Sequence, residues 1–247
     1  MRYKIRIEYD GSNYCGSQRQ FDIAEKSIES VLEDAIYKLS QEEVKIIMSG
    51  RTDAGVHALG QVAHFDLKKE FAPHRIVMGL NHHLRGEDIS ILDCEIVDEN
   101  FHARFSAKMR HYRYVIINRH GRLALQKKRA YHVAPKLDIV AMKTASQFLI
   151  GQHDFSSFRD SECQSSSPIK TLSRIEIFLR NEEEIFIELS ARSFLHHMVR
   201  NIVGTLVLAG LGKISPEEIK KILVAKDRSK SGPNAPACGL YFLGADY

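Results

Sequence analysis

The feature that most constrains the fold is the order of hydrophobic patterns along the chain, because nearly the same order of elements occurs twice. Segments that alternate apolar and polar residues predict strands, and apolar residues three and four positions apart predict helices. Ser27 is a typical helix N-cap, and Pro73 fits the first turn of a helix. The first half predicts strand, helix, strand, strand, helix and strand, at residues 3–9, 28–39, 44–49, 61–67, 73–83 and 89–97.

The second half predicts a similar order with one additional helix. Gly151 is a residue type that commonly ends helices. Ser215, Pro216 and Glu218 match a capping box with proline at the first helical position. The predicted elements are a strand, a helix, a two-stranded hairpin, an apolar helix, a short helix and a final strand, at residues 110–117, 137–150, 169–180 with 184–191, 193–211, 215 onward and 239–247.

Two copies of the order β-α-β-β-α-β predict an α+β fold made of two ferredoxin-like halves. The chain has 247 residues, which is long enough for two cores. We expect one half at residues 1–100 and another at 101–247, each with an antiparallel sheet and helices on one side. We further expect the two sheets to join edge to edge into one mostly antiparallel sheet, with a cleft where their faces meet.

Positive charge is concentrated in the segment 101–132, which contains nine Lys or Arg residues and no acid. The rest of the chain carries 26 basic and 31 acidic residues, so the mild net charge of +4 conceals a strongly basic segment. A polyanion bound on one surface would account for this division. A solvated basic face without a partner is the alternative interpretation.

Membrane and secreted classes do not fit the chain. The longest apolar run, at 202–212, is too short to span a bilayer. The first ten residues form a charged, alternating strand and not a signal peptide. The cysteines are scattered without a CxxC pair, which indicates a reducing cytoplasmic compartment and argues against structural zinc; they are Cys15, Cys94, Cys163 and Cys238.

The segment GRTDAGVHALG, at residues 50–60, predicts a tightly shaped turn around one carboxylate. Gly50 and Gly55 can adopt backbone angles that other residues avoid. A lone aspartate such as Asp53 in a turn most often only hydrogen-bonds its own backbone. Arg51 lies two residues away, where a guanidinium would lower the pKa of the carboxyl and keep it ionised as a nucleophile or base.

The segment GRTDAGVHA also resembles the signature loop of the tRNA pseudouridine synthase A family, in which the aspartate is the nucleophile. A nine-residue loop is far more specific than a single short motif. Four further segments resemble blocks of this family in the family's order and over nearly the full chain: YDGSNYCGSQRQ at 9–20, FHARFSAKMRHYRY at 101–114, GQHDFSSFR at 151–159 and FLHHMVRNIVGTL at 194–206.

The resemblance implies roles for four residues. Asp53 would be the catalytic nucleophile, flanked by Arg51 from the same loop and by Arg200 from the apolar helix of the second half. Tyr112, the first tyrosine of RHYRY, would stack on the target base. Without the resemblance, Tyr112 is interpreted as a core tyrosine of a strand and Arg200 as a surface arginine of an amphipathic helix, although the neighbours of Arg200 are apolar.

The chain departs from the family pattern at two places. Ser17 occupies a position where members usually carry Trp, and the chain contains no Trp. The segment LRGEDI, at 84–89, replaces the usual Leu-Pro-x-Asp-Ile and is one residue longer.

We expect neither a metal nor a cofactor. The pairs His82–His83 and His196–His197 are adjacent on predicted helices, and neighbouring helical residues face different directions. Neither pair therefore makes a good two-ligand site. The sequence has no HExxH metal motif and no glycine-rich phosphate loop. The reaction that the resemblance implies, isomerisation of a base, needs neither a metal nor a nucleotide cofactor.

The resemblance implies an isomerase that converts uridine to pseudouridine in tRNA, at positions 38 to 40 of the anticodon stem-loop. It also implies a homodimer that binds tRNA across both subunits, with the cleft as the RNA-binding site. Attack by Asp53 on C1′, attack on C6 and removal of a ribose proton remain open. The alternatives are a non-catalytic RNA-binding protein, although the RNP1-type aromatic pattern is missing, and a metal-dependent ribonuclease using Asp53 and His57.

Overall fold

The computed structural model describes residues 1–19, 25–160, 163 and 165–247. These residues divide into two compact units, of which the first comprises Met1–Arg110 with Tyr241–Tyr247 and the second comprises His111–Leu240. Gln20, the last residue of the N-terminal motif, lies outside the described residues. No helix in the described part of the chain is long and apolar enough to cross a bilayer.

The elements of the first half follow the predicted order. Ser27 caps the first helix as predicted, through reciprocal hydrogen bonds with Ser30. The elements are β1 (Arg2–Tyr9), α1 (Ile28–Ser40), β2 (Ile47–Met48), β3 (His57–Asp66), α2 (Pro73–His83) and β4 (Ile89–Val97).

The second half contains two short strands that the hydrophobic pattern did not predict. One of them begins at Gly151, which has a φ of +106° and ends the preceding turn. The elements are β5 (Met109–Asn118), β6 (Tyr131–Val133), α3 (Ile139–Gln147), β7 (Gly151–Asp154), β8 (Ile169–Leu179), β9 (Glu184–Ala191), α4 (Met198–Gly210), α5 (Glu218–Ala225) and β10 (Leu240–Asp246).

In each unit the strand pairing is mostly antiparallel. In the first unit β1 lies between β3 and β4 and is antiparallel to both, and the short β2 is antiparallel to β3. In the second unit β8 is antiparallel to β7 and β9, and β9 neighbours β5. The predicted α+β class is therefore confirmed, while the cleft stays a prediction.

The division of the chain differs from the predicted boundary at residue 100. The first unit continues to Arg110, and it also includes Tyr241–Tyr247 from the C-terminus. The C-terminal segment belongs to the first unit because β10 pairs in parallel with β3, with Tyr241 opposite His57 and Phe242 opposite Ala58. Since this pairing joins residues at opposite ends of the sequence, a local pattern could not predict it.

The core of the first unit explains why its elements form. Tyr3, Ile5 and Ile7 alternate along β1 with no exposed surface, as expected for a strand with one buried face. Lys4 and Arg6 face the other side, where they form 2.6 Å ion pairs with Glu95 and Asp93 of β4. The apolar residues at helical spacing in α1 are mostly buried, as predicted, and α2 buries Ile76 and Leu80. The two helices contact each other.

His64 on β3 predicts a pH dependence of stability. Its side chain is 2% exposed, and its Nδ1 accepts a 3.1 Å hydrogen bond from the N–H of Ala103. Burial and the nearby charge of Arg2 lower the pKa of His64 from 6.5 to about 4. The native state thus keeps His64 neutral at pH values where the unfolded chain protonates it. The contribution of His64 to the free energy of unfolding is fully present above its unfolded pKa of 6.5. This contribution is lost as the pH falls toward 4, and the loss amounts to about 3 kcal/mol.

Urea unfolding at pH 7 and pH 4.5 measures this effect. His64→Asn keeps an acceptor for Ala103 but does not titrate, so we expect the variant to lose less stability than the wild type at the lower pH. His74 is exposed near the start of α2, and His74→Asn is expected to keep the wild-type pH dependence. Equal losses in the wild type and His64→Asn would contradict the prediction.

Candidate active site

Asp53 lies in the loop between β2 and β3, half-buried at the start of a tight turn. The N–H of Val56 donates to the C=O of Asp53 at 3.2 Å and closes this turn. Gly55 has a φ of +77°, in the left-handed region that favours glycine. The shaped turn predicted from the sequence is therefore present, and it presents one carboxylate.

The N-terminal motif holds this loop from the other side. Gly16 and Asp53 form an isolated antiparallel bridge. Gly16 has a φ of +124°, and a Cβ there would lie 2.9 Å from the C=O oxygen of Thr52. The next residue, Ser17, donates its N–H to that same oxygen at 2.9 Å. The Ser17 hydroxyl accepts the N–H of Thr52 at 2.8 Å.

A network of buried polar side chains packs against the loop that carries Asp53. The hydroxyls of Tyr9 and Thr52 are 2.8 Å apart. Gln61, which has no exposed surface, donates to the C=O of Gly50 at 2.9 Å and accepts from the Ser49 hydroxyl at 2.8 Å. Burial raises the pKa of Tyr9, so its hydroxyl stays neutral and able to donate. These contacts hold Thr52 and Gly50, which precede Asp53 in the loop.

Arg51 is exposed on the same loop. Partial burial lowers the pKa of its guanidinium, the positive charge of Arg104 lowers it further, and Glu29 raises it. These effects leave Arg51 a cation, because arginine titrates far above neutral pH. Its predicted role of keeping Asp53 ionised stays a prediction.

Tyr112 lies in β5 of the second unit and is 8% exposed. Its ring is perpendicular to that of Phe194, with the centroids 5.1 Å apart. This burial is typical of a core tyrosine, the interpretation that the residue type alone favours. The edge-to-face contact with Phe194 is a favourable arrangement of two aromatic rings. The predicted role of Tyr112 in base stacking stays a prediction.

Arg200 lies in the first turn of α4, also in the second unit. Its Nε donates to the C=O of Ala235 at 2.8 Å, and the N–H of Ala235 donates back to the C=O of Arg200 at 3.2 Å. Its neighbours Met198, Val199, Ile202 and Val203 are buried as the sequence indicated. Arg200 is therefore a half-buried, oriented guanidinium and not a mobile surface side chain.

His196 and His197 are not on a helix, contrary to the sequence interpretation. His197 has a φ of +60°, and α4 begins only at Met198. The two imidazole rings stack with centroids 3.9 Å apart. Asp160 binds the pair, with its Oδ2 2.7 Å from Nδ1 of His197. The argument that adjacent helical residues face apart thus fails for this pair.

The basic residues of the segment 101–132 that lie in the second unit fall into two groups, those in ion pairs and those that are exposed. Arg113 donates to Glu188 at 2.6 Å and lies over the ring of Phe186, and Arg119 donates to Glu183 at 2.9 Å. These ion pairs stabilise the fold. The remaining basic residues of the second unit are exposed: Arg122, Lys127, Lys128 and Arg129.

Sequence reasoning missed the residues that hold the loop of Asp53. Tyr9 and Ser17 lie far from Asp53 in sequence, and Gln61 lies on the strand that follows the loop. Each is a polar residue within a segment whose pattern indicates a strand or a turn. The only signal was the presence of Ser17 where the family pattern has a large aromatic residue.

Comparison with known proteins covers the full chain. The sequence pattern of the family described as tRNA pseudouridine synthase matches residues 5–106 and 145–247. Two relatives named tRNA pseudouridine synthase A, from Ehrlichia canis (strain Jake) and Ehrlichia chaffeensis (strain Arkansas), are 52% and 51% identical over 247 residues, which is 100% of this chain and of each relative. A chain in the crystal structure of the archaeal box H/ACA sRNP Nop10-Cbf5 complex aligns with 97% of this chain, over 46% of its own length and at 11% identity. The TM-score of this alignment is 0.34, which is too low for a comparison of folds.

Proposed function

Because the chain belongs to the tRNA pseudouridine synthase family, we propose that it isomerises uridine to pseudouridine in the anticodon stem-loop of tRNA, at positions 38 to 40, with Asp53 as the nucleophile. Membership makes the protein an isomerase. The substrate position and the role of Asp53 go further than membership. The resemblance to the family implies the position, and the geometry of the loop supports the role of Asp53.

The reaction exchanges one bond for another within a single nucleotide. The N1–C1′ bond breaks, the uracil turns, and a C5–C1′ bond forms. The hydrogen on C5 leaves as a proton and N1 gains one, so the reaction consumes no oxidant or reductant. A carboxylate can start this chemistry by attacking C1′ or C6 or by removing a ribose proton, and water can accept the C5 proton and supply the proton to N1.

The observation that carries the proposal is the way the fold holds Asp53. The carboxylate is half-buried on a turn whose backbone is hydrogen-bonded to Ser17 and supported by Tyr9 and Gln61. A nucleophile must be held within a few tenths of an ångström of its target, and this arrangement restricts the loop accordingly. An aspartate that merely caps a turn would need no such network.

The second unit offers the groups that binding of a flipped base requires. Taking the base out of its stack costs a few kcal/mol, and a stacking face recovers roughly 1–3 kcal/mol. We assign the stacking to Tyr112, and we assign charge stabilisation near the carboxylate to Arg51 and Arg200. The exposed basic residues at 122–129 would contact phosphates, so that the protein recognises the shape of the tRNA more than its base sequence.

We also propose that the protein acts in the cytoplasm, as a homodimer with each tRNA bound across both subunits. Mass measurement of the protein at micromolar concentration tests the dimer directly. A monomer that modifies tRNA at full rate would remove this part of the proposal.

Release of tritium from tRNA tests the activity. Formation of the C5–C1′ bond must expel the C5 hydrogen, so the wild-type protein should release tritium into water from tRNA transcribed with [5-³H]uridine. We expect this release with or without a chelator and on RNA that stays intact. Tight binding without release would favour a non-catalytic RNA-binding protein, and chelator-sensitive chain cleavage would favour a ribonuclease.

The site of modification needs a second assay on the same tRNA. Chemical labelling of pseudouridine followed by primer extension is expected to stop at positions 38 to 40. Stops confined to another stem would contradict the proposed target while leaving the isomerase activity intact.

A further inference from the structure

We propose that Ser17 is a positioning residue for Asp53, and that its hydroxyl sets the rate of the reaction by holding the backbone of Thr52. This inference rests on the proposed function, because it assumes that Asp53 acts on the nucleotide. Ser17 does not touch the substrate in this proposal and acts only through the loop.

One serine satisfies both backbone groups of the residue that precedes Asp53. The N–H of Ser17 donates to the C=O of Thr52 at 2.9 Å, and the Ser17 hydroxyl accepts the N–H of Thr52 at 2.8 Å. The same hydroxyl lies 3.4 Å from the C=O of Thr52, to which it donates. The adjacent bridge between Gly16 and Asp53 continues this pairing to the proposed nucleophile.

Water cannot readily replace the Ser17 hydroxyl. Ser17 is 1% exposed and Thr52 is 7% exposed. The side chain of Thr52 is already engaged with the hydroxyl of Tyr9. Without the serine hydroxyl, the buried N–H of Thr52 would lose its acceptor, and a buried N–H without an acceptor is unfavourable, so the loop would move to find another.

Ser17 is itself anchored to a rigid element. Its C=O accepts the N–H of Glu29 at 3.0 Å, and the C=O of Gly16 accepts the N–H of Ile28 at 3.1 Å. Both donors lie in the first turn of α1, whose orphan N–H groups need such acceptors. The N-terminus of α1 therefore positions Ser17, and Ser17 positions Thr52 and Asp53.

Loss of the hydroxyl should slow the chemical step without unfolding the protein. Ser17→Ala keeps the backbone bond to Thr52, so the loop stays attached but its register is no longer set by two bonds. A shift of about 1 Å at a reacting group costs on the order of 100-fold in rate. We expect the single-turnover rate constant to fall by about 30- to 100-fold, with the affinity for tRNA unchanged within about twofold.

The experiment measures single-turnover tritium release at saturating enzyme, together with tRNA affinity by filter binding. Because folded enzyme stays in saturating excess over tRNA, the rate constant does not depend on the fraction of protein that is unfolded, so partial unfolding cannot imitate the expected result. Ser17→Thr keeps the hydroxyl and is expected to react within about fivefold of the wild type.

Ser40→Ala is the matched control. Ser40 is also 1% exposed, and its hydroxyl also joins two backbone groups, since it donates to the C=O of Ile36 and accepts the N–H of Glu42. It lies at the far end of α1. Its replacement should lower stability by a similar amount and leave the rate constant unchanged.

Three outcomes would overturn the inference. A wild-type rate constant in Ser17→Ala would show that the hydroxyl does not position the loop. Equal slowing in Ser17→Ala and Ser17→Thr would assign the effect to packing. Equal slowing in Ser17→Ala and Ser40→Ala would assign it to general loss of stability. Absence of release by the wild type would instead overturn the proposed function, and this inference with it.

Discussion

Asp53→Asn is expected to abolish tritium release from [5-³H]uridine tRNA, by at least about 10⁴-fold, while binding of tRNA changes little. The amide has nearly the shape of the carboxylate, so the loop should keep its hydrogen bonds to Ser17. It is, however, neither a nucleophile at neutral pH nor a base for a ribose proton. The loss is therefore expected whichever atom of the nucleotide the carboxylate attacks.

Asp93→Asn is the control for this experiment. Asp93 pairs with Arg6 across two strands of the same unit, and both side chains are about half exposed, at 54% and 51%. Such surface pairs contribute about 0–1 kcal/mol, so this variant should react at the wild-type rate. Tritium release by Asp53→Asn within about tenfold of the wild type would contradict the assignment of Asp53 as the nucleophile. If release is lost, a circular-dichroism spectrum and a tRNA affinity like those of the wild type would exclude unfolding as the cause.

Gly204→Ala is expected to destabilise the second unit by about 3 kcal/mol or more. Gly204 lies inside α4, where alanine normally stabilises a helix by about 1 kcal/mol relative to glycine. Here a Cβ would lie 1.8 Å from the C=O oxygen of Pro233, and Gly232 packs against the same turn. The close backbone approach thus decides the sign of the effect, because a backbone carbonyl cannot rotate aside as a side chain can.

Thermal unfolding measures this loss, and we expect the midpoint to fall by roughly 10 °C. Gly121→Ala serves as the comparison, since the nearest atom to a Cβ there belongs to the flexible side chain of Arg119 at 4.0 Å. That variant should unfold at the wild-type temperature within a few degrees. A midpoint for Gly204→Ala equal to or above that of the wild type would show that the segment at 232–235 separates from α4 without cost.

The type and order of most elements follow from local patterns in the sequence. The alternation in β1 and the helical spacing in α1 are local properties, and the cap at Ser27 acts within one helical turn. None of these three features depends on distant residues. The turn around Asp53 was also predictable, because the glycines and the aspartate that shape it lie within a few positions of one another.

Residues far apart in sequence required the tertiary structure. The pairing of β10 with β3 joins Tyr241 to His57 and moves the boundary between the units, and no local pattern encodes such a partner. The helix α4 begins at Met198 because His197 adopts a left-handed conformation beside Asp160, although the apolar spacing around it is helical.

The support of the candidate site was likewise decided only by the tertiary structure. From the sequence, Ser17 was a departure from a family pattern without a known consequence, and Arg113 was one of nine basic residues. The fold places Ser17 against the backbone next to Asp53 and Arg113 against Glu188. A hydrogen bond or an ion pair depends on distance in space, which the fold alone determines, whereas the tendency of a segment to become a helix, a strand or a turn is already present in its own residues.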